Sequence, residues 1–235
     1  VFNSFSGENL KVLVALTYYR PHVSGLTIYV ERLARALVER GHQVTVLTSR
    51  YDSSLASNEV LDGVSVVRVP VVMRVSKGVI MPTIGFVASK LVYSHDVLSI
   101  HLPQLDASGI ALRARILGKP SILTYHSDLM LPMTIFNRLV NLLVDASNHV
   151  AARLSDAICA YTSDFAISSP LLSRYLSKVH YILPPVTVSD VDDESVKQWA
   201  KLHGVIDDYP IVGVASRLAA DKGIEFLLDA LPKLL

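Results

Sequence analysis

Residues 11–48 read KVLVALTYYRPHVSGLTIYVERLARALVERGHQVTVLT, and this stretch decides the fold class. Lys11–Leu16 is a strand candidate, built on the continuous apolar run Val12–Leu16. Thr27–Arg40 spaces its apolar residues for one face of a helix. Gly41 follows as a residue able to leave a helix in the left-handed conformation, and Gln43–Thr48 is a second apolar run. Strand, helix and strand in this order make a βαβ unit. The alternation continues along the chain. Further strands are expected at Val64–Val69, Val97–His101, Ser121–Tyr125, Ala157–Tyr161, Val179–Leu183 and Ile211–Ala215. Further helices are expected at Thr83–Tyr93, Pro103–Leu117, Pro132–Ser155, Asp164–Leu176, Asp192–His203 and Asp221–Leu235. The pattern predicts an α/β fold, a Rossmann-like doubly wound and mostly parallel sheet with helices on both faces.

Composition agrees. Hydrophobic residues make up 51% of the 235 and charged residues only 18%, and the mean hydropathy is +0.40. Parallel strands buried on both faces give such values. With 22 basic and 21 acidic side chains the net charge is +1, which offers no electrostatic case for nucleic acid. The single cysteine, Cys159, lies in an apolar run. An internal disulfide is excluded, and a buried inert thiol, which fits a reducing compartment, is expected. Residues 3–9 are polar and do not read as a signal peptide. The apolar window Gly78–Tyr93 is shorter than the roughly 20 residues that span a bilayer.

Ligands of open α/β sheets bind beyond the carboxyl ends of the strands. Three places there carry suggestive side chains. The loop after the first strand, Thr17 to Leu26, contains Tyr19 and Ser24 and ends in Gly25 just before a helix, where backbone amides and the helix dipole favour an anion. His101 ends the fourth strand and His126-Ser127-Asp128 follows the fifth, so two histidines point to one cleft. Zinc is disfavoured, because no third ligand sits at a recognisable spacing. Near the end, Arg217 follows a strand and Lys222 opens a helix, a combination suited to a diphosphate. No G-x-G-x-x-G and no Walker-type glycine loop occurs.

Taken in order, Tyr19-Arg20-Pro21-His22-Val23-Ser24-Gly25, Arg40-Gly41-His42-Gln43-Val44-Thr45-Val46-Leu47-Thr48, Gly118-Lys119-Pro120, Thr124-Tyr125-His126-Ser127-Asp128 and Ser216-Arg217-Leu218-Ala219-Ala220-Asp221-Lys222-Gly223 resemble the retaining glycosyltransferases of family 4, which have the two-lobed GT-B fold. The resemblance implies a nucleotide-sugar donor, UDP- or GDP-linked, and a glycan or lipid-linked acceptor, with no metal or other cofactor. It implies that Arg217, Lys222 and Gly25 hold the donor diphosphate and that His126 faces the donor sugar as the catalytic-site histidine. Tyr19, Ser24, His101, Ser127 and Asp128 would then line the acceptor cleft. Two departures stand out: the family usually has glycine where this chain has Ser24 and Ser216. The family's paired glutamates would lie beyond Leu235, so efficient transfer by these 235 residues alone is not expected.

The resulting domain expectation is an acceptor-side lobe over 1–184, a linker over 185–208 and the start of a donor-binding Rossmann-like lobe over 209–235. A sugar-nucleotide epimerase of the same architecture and a non-catalytic binding lobe are the alternative functions. Arg68, Arg74, Lys77 and Lys90 around Val79–Tyr93, and Arg138 and Arg153 within Pro132–Arg153, suggest peripheral contact with anionic membrane, at the inner face of the plasma membrane.

Overall fold

The computed structural model describes residues 9–128, 134–186, 190–205, 211–216, 218 and 222–233. The chain divides into two compact units, Val1–Val186 and Thr187–Leu235.

The first unit is built on one eight-stranded sheet. In chain order its elements are β1 (Lys11–Ala15), α1 (Gly25–Glu39), β2 (Gln43–Arg50), β3 (Asn58–Leu61), β4 (Val64–Pro70), the small hairpin β5 (Met73–Val75) and β6 (Gly78–Ile80), α2 (Ile84–Ser94), β7 (Val97–Leu102), α3 (Ala107–Ile116), β8 (Ser121–Tyr125), α4 (Ile135–Leu154), β9 (Ala157–Ala160), α5 (Ser163–Ser168) and β10 (Val179–Tyr181). The spatial order is β10-β9-β8-β7-β1-β2-β4-β3. Every pairing in it is parallel except β3 with β4. The expected doubly wound parallel sheet is therefore present. Its winding direction reverses at β1, which pairs with β2 on one side and β7 on the other.

Side-chain alternation along β1 shows why this strand is apolar from Val12 onward. Leu13 and Ala15 enter a core shared with Ala88, Val92, Ile110, Ala111, Ala151 and Ala152 of α2, α3 and α4. Val12, Val14 and Leu16 enter a second core with Tyr29, Val30 and Ala34 of α1. Successive residues of a strand face opposite sides, so a strand covered on both faces has no polar position. Each buried Val or Leu contributes about 1.5–3 kcal/mol. Helix α1 begins at the N-cap Ser24, whose hydroxyl accepts from Thr27 N at 3.2 Å. It ends where Gly41, at φ +88°, closes the last turn with Gly41 N donating to Val38 O at 2.9 Å.

Several elements differ from the sequence expectation. Asp62 (φ +50°) and Gly63 (φ +79°) form the two-residue turn of a β3–β4 hairpin that the apolar pattern misses. An Asp-Gly pair between strands favours this turn because both residues tolerate positive φ. The expected helix Asp164–Leu176 stops at Ser168, since Pro170 lacks an N–H and holds Ser169 extended at ψ 128°. Two 3₁₀ turns, Leu172–Arg174 and Leu176–Lys178, follow. Arg68, expected on a basic surface edge, has a fully buried side chain.

In the second unit, α6 (Asp193–Leu202) is capped by Asp192, which accepts from Ser195 N at 2.9 Å. Helix α7 (Ile224–Ala230) follows Gly223 at φ +61°. Residues 211–215, expected as a strand, do not form one. A strand needs a neighbour for its N–H and C=O groups, and no strand is found among the described residues of this unit.

Candidate functional site

The strand order reverses between β1 and β7, and the carboxyl edge of the sheet at such a reversal is the place where doubly wound sheets bind ligands. Two loops frame it, one after each strand. Both contain a cis proline peptide, Arg20–Pro21 and Leu102–Pro103.

The loop after β1 is tied down at many points. Thr17 O accepts from Ser49 N and Thr48 Oγ1, both at 3.1 Å. Arg68 donates to Arg20 O at 2.7 Å and Ala56 O at 3.1 Å, and pairs with Glu59. Arg20 Nε donates to Glu31 of α1 at 2.7 Å. Tyr18 stacks on His22 with ring centres 4.9 Å apart, and Tyr51 meets both edge-on. The loop thus reaches α1 in a fixed position. Gly25 is the first helical residue, exposed, and a Cβ built on it meets nothing within 4 Å. Its missing side chain therefore serves no internal packing.

At the ends of β7 and β8, the two sequence-predicted histidines meet. His101 Nδ1 lies 2.9 Å from His126 Nε2. The chain of hydrogen bonds extends both ways, to Ser99 Oγ at 3.0 Å from His101 Nε2 and to the Tyr161 hydroxyl at His126 Nδ1. Tyr29 of α1 sets its ring perpendicular to His126, centres 4.9 Å apart. With both imidazoles neutral, every link carries one proton, and the chain runs from Ser99 to Tyr161 or the reverse depending on tautomer. Burial keeps the rings neutral. It pushes His126 down to about 4, and it drives the fully buried His101 well below the ordinary histidine value, with His126 beside it adding to the effect. Burial likewise raises the Tyr161 phenol to about 12. Asp106, at the N-terminal end of α3 beyond β7, is raised by burial to about 6.

The structure places the remaining expected residues as follows. Ser24 caps α1. Tyr19 is only 2% exposed and belongs to the core over α1, which corrects the expectation that it lines a cleft. Ser127 is exposed. Asp128 accepts from the Tyr125 hydroxyl at 2.8 Å and from Ser169 Oγ at 2.9 Å, so it braces β8 against the turn after α5. Lys222 is exposed in the second unit, just before α7, while Arg217 and Asp221 lie outside the described residues. Cys159 is half-buried with its thiol pushed up by burial. Tyr29, Tyr161, Ser99 and Asp106 were not anticipated. An aromatic one residue past a strand, as Tyr161 is, looks like core from sequence, and only its place beside His126 sets it apart. Among the described residues, no group of three His, Cys, Asp or Glu side chains converges to hold a metal ion. No described helix is long and apolar enough to cross a membrane.

Comparison with known proteins places this lobe. The sequence profile of the Glycosyl transferase 4-like domain matches residues 24–167, more than half the chain, including both Gly25 and His126. An alpha-D-kanosaminyltransferase of Streptomyces kanamyceticus is 28% identical over 141 residues, covering 55% of this chain and 36% of that protein. An uncharacterized glycosyltransferase of Methanocaldococcus jannaschii is 28% identical over 249 residues, covering 96% of this chain and 60% of that protein. Among solved structures, HepE of Anabaena in complex with UDP superposes with a TM-score of 0.65 at 17% identity, covering 95% of this chain and 58% of that one. Sucrose-phosphate synthase of Thermosynechococcus elongatus gives 0.60 at 17%, covering 96% and 60%. The chain thus spans no more than about three-fifths of the length of these relatives. The fold is that of a GT-B glycosyltransferase lobe, and the chain belongs to the glycosyl transferase 4-like family.

Proposed function

We propose that the first unit is the acceptor-side lobe of a retaining glycosyltransferase, which moves a sugar from a UDP- or GDP-linked donor to a glycan or lipid-linked acceptor without a metal. The observation that carries this reading is the family match across Gly25 and His126 together with their common place at the carboxyl edge of the sheet. The UDP bound to HepE of Anabaena supports a nucleotide-linked donor. In this reading residues 1–184 form the acceptor lobe, 185–208 a linker and 209–235 the start of the donor lobe, and the reaction takes place on the cytoplasmic side, where nucleotide sugars are made.

The roles follow from local chemistry. Gly25 N–H and the positive end of α1 lie where a phosphate can approach without meeting a side chain. Lys222, with Arg217, would offset negative charge as the nucleotide departs. Both ring nitrogens of His126 are held by protein partners, so a sugar hydroxyl reaches Nδ1 by taking the place of the Tyr161 hydroxyl. Neutral at pH 7, the ring accepts or donates there without building charge against the donor.

The test is a transfer assay with the full-length protein against a panel of UDP- and GDP-sugars, reading nucleotide release and then anomeric configuration by NMR. Release with a retained anomeric centre is expected. An inverted product, or interconversion of the donor sugar without transfer, rules out the proposal.

A further inference from the structure

The amino edge of the sheet, opposite the edge that carries His126, holds a second cluster of polar side chains. Parallel register sets Lys11 beside Gln43 and Thr45 beside Ser65, so these four residues share one face of β1, β2 and β4. It is the face on which Leu13 and Leu47 enter the core with Ala88 and Val92 of α2. Toward the amino edge this core gives way to a pocket of about 370 Å³, whose lining includes Lys11, His42, Thr45, Ser65, Ser94 and His95. The volume is that of a small-molecule site. Ser94 and His95 end α2, so the strands supply the floor and the helix end one wall.

The lining offers one ammonium, hydroxyls and two imidazoles, and no Asp or Glu belongs to it among the described residues. Asp96, next to His95, accepts from Lys11 N at 2.8 Å. Among the described residues, no carboxylate lies within ion-pair distance of the Lys11 ammonium. Lys119 adds a second positive charge near His95. The two rings are held in opposite tautomers. His42 Nδ1 lies 3.3 Å from Leu10 N, which can only donate, so the neutral ring carries its proton on Nε2. His95 Nδ1 lies 2.6 Å from Leu91 O, which can only accept, so Nδ1 donates and Nε2 is left as an acceptor. Burial lowers the His95 value, and the ring is neutral at pH 7.

We propose that this pocket binds a small phosphorylated polyol or sugar. The Lys11 ammonium, the His42 Nε2–H and the Thr45 and Ser65 hydroxyls face the phosphate. These donors outnumber the two oxygens of a carboxylate and suit the three of a phosphate monoester, with lysine as its point charge. A phosphate oxygen without a proton gives His95 Nε2 nothing to accept, so that nitrogen selects an alcohol on the same ligand. The site belongs to the first unit alone and does not rest on the proposed function.

The test is NMR of the histidine rings in the full-length protein, titrated with β-glycerophosphate, inorganic phosphate and glycerol. β-Glycerophosphate should shift the His42 and His95 rings and leave His126 in place, whereas glycerol alone should shift none. Lys11→Met should weaken β-glycerophosphate binding roughly ten-fold. Ser65→Asp should abolish it by setting a carboxylate against the phosphate. Both side chains are exposed, so far-ultraviolet circular dichroism should be unchanged. Inorganic phosphate should shift His42 and bind more weakly than the ester, because it lacks the alcohol. Absence of a saturable shift at millimolar ester, binding of glycerol as tight as that of its phosphate, or unchanged binding by both variants overturns the inference. So does a shift confined to His126 that Lys222→Ala removes, which places the phosphate in the proposed donor site instead.

Discussion

His101 Nδ1 and His126 Nε2 lie 2.9 Å apart, so the ends of β7 and β8 are joined through two neutral imidazoles rather than an ion pair. A hydrogen bond between two such rings, one fully buried, makes this pair sensitive to pH.

Both histidines have folded-state values below the unfolded one, through burial. A depressed histidine contributes stability above its unfolded value near 6.5 and loses it as pH falls through its folded value, about 4 for His126. Buried His95 shifts in the same direction. Asp106 acts oppositely. Raised from 3.8 to about 6, it contributes stability that is full below 3.8 and lost as pH rises through about 6. Urea denaturation should therefore show lower stability at pH 5 than at pH 7, and Asp106→Asn should deepen that loss by removing the offset. An unchanged or shallower loss in the variant contradicts the assignment.

Tyr161→Phe removes the partner of His126 Nδ1 while keeping the ring that packs near Tyr29. Loss of one buried hydrogen bond costs about 1–2 kcal/mol. The sharper readout is nitrogen NMR of the imidazoles. With Tyr161 removed, the His126 ring should titrate at a higher pH, because water gains access to Nδ1. No change in the tautomer or titration of either ring means that the relay does not extend to Tyr161.

Arg68 is buried among polar atoms of three segments, donating to Arg20 O and Ala56 O and pairing with Glu59. Arg68→Met keeps the stem and removes the guanidinium. Glu59 is partly exposed and can turn to water, so the cost should be about 2–3 kcal/mol, below that of breaking a fully buried pair. Because Arg68 holds the loop after β1, amide exchange in residues 18–24 should rise more than in β7 or β8. Uniform protection loss across the sheet would show a global effect instead.

Much of this molecule was legible in its sequence because burial on both faces writes itself as apolar runs. Lys11–Leu16, Gln43–Thr48 and Ser121–Tyr125 are strands for that reason, and the two histidines, standing at the ends of neighbouring strands, meet. What escaped depends on contacts rather than on runs. The edge strand Asn58–Leu61 is half polar and is marked only by Asp62-Gly63. The break after Ser168 follows from Pro170, one residue against a long helical pattern. Residues 211–215 read as a strand from their apolar run, but a strand is defined by a neighbour. Tyr29 and Tyr161 come beside His126 only through folding, while Tyr19, close to Gly25 in sequence, lies in the core.

Gly25 separates folding from binding. It is helical, exposed and surrounded by open space, so Gly25→Ala adds a methyl group that meets nothing in the protein and narrows the unfolded ensemble. Stability should stay level or rise by about 0.5 kcal/mol. In the proposed donor site the same methyl group stands where a phosphate approaches the Gly25 amide. Losing a hydrogen bond to a charged group corresponds to roughly ten-fold or weaker nucleotide binding. Thermal denaturation and calorimetric titration of the full-length protein with UDP and GDP read the two effects independently. A variant that is destabilised, or that binds nucleotide as well as the parent, shows that the glycine has a structural reason rather than a phosphate one.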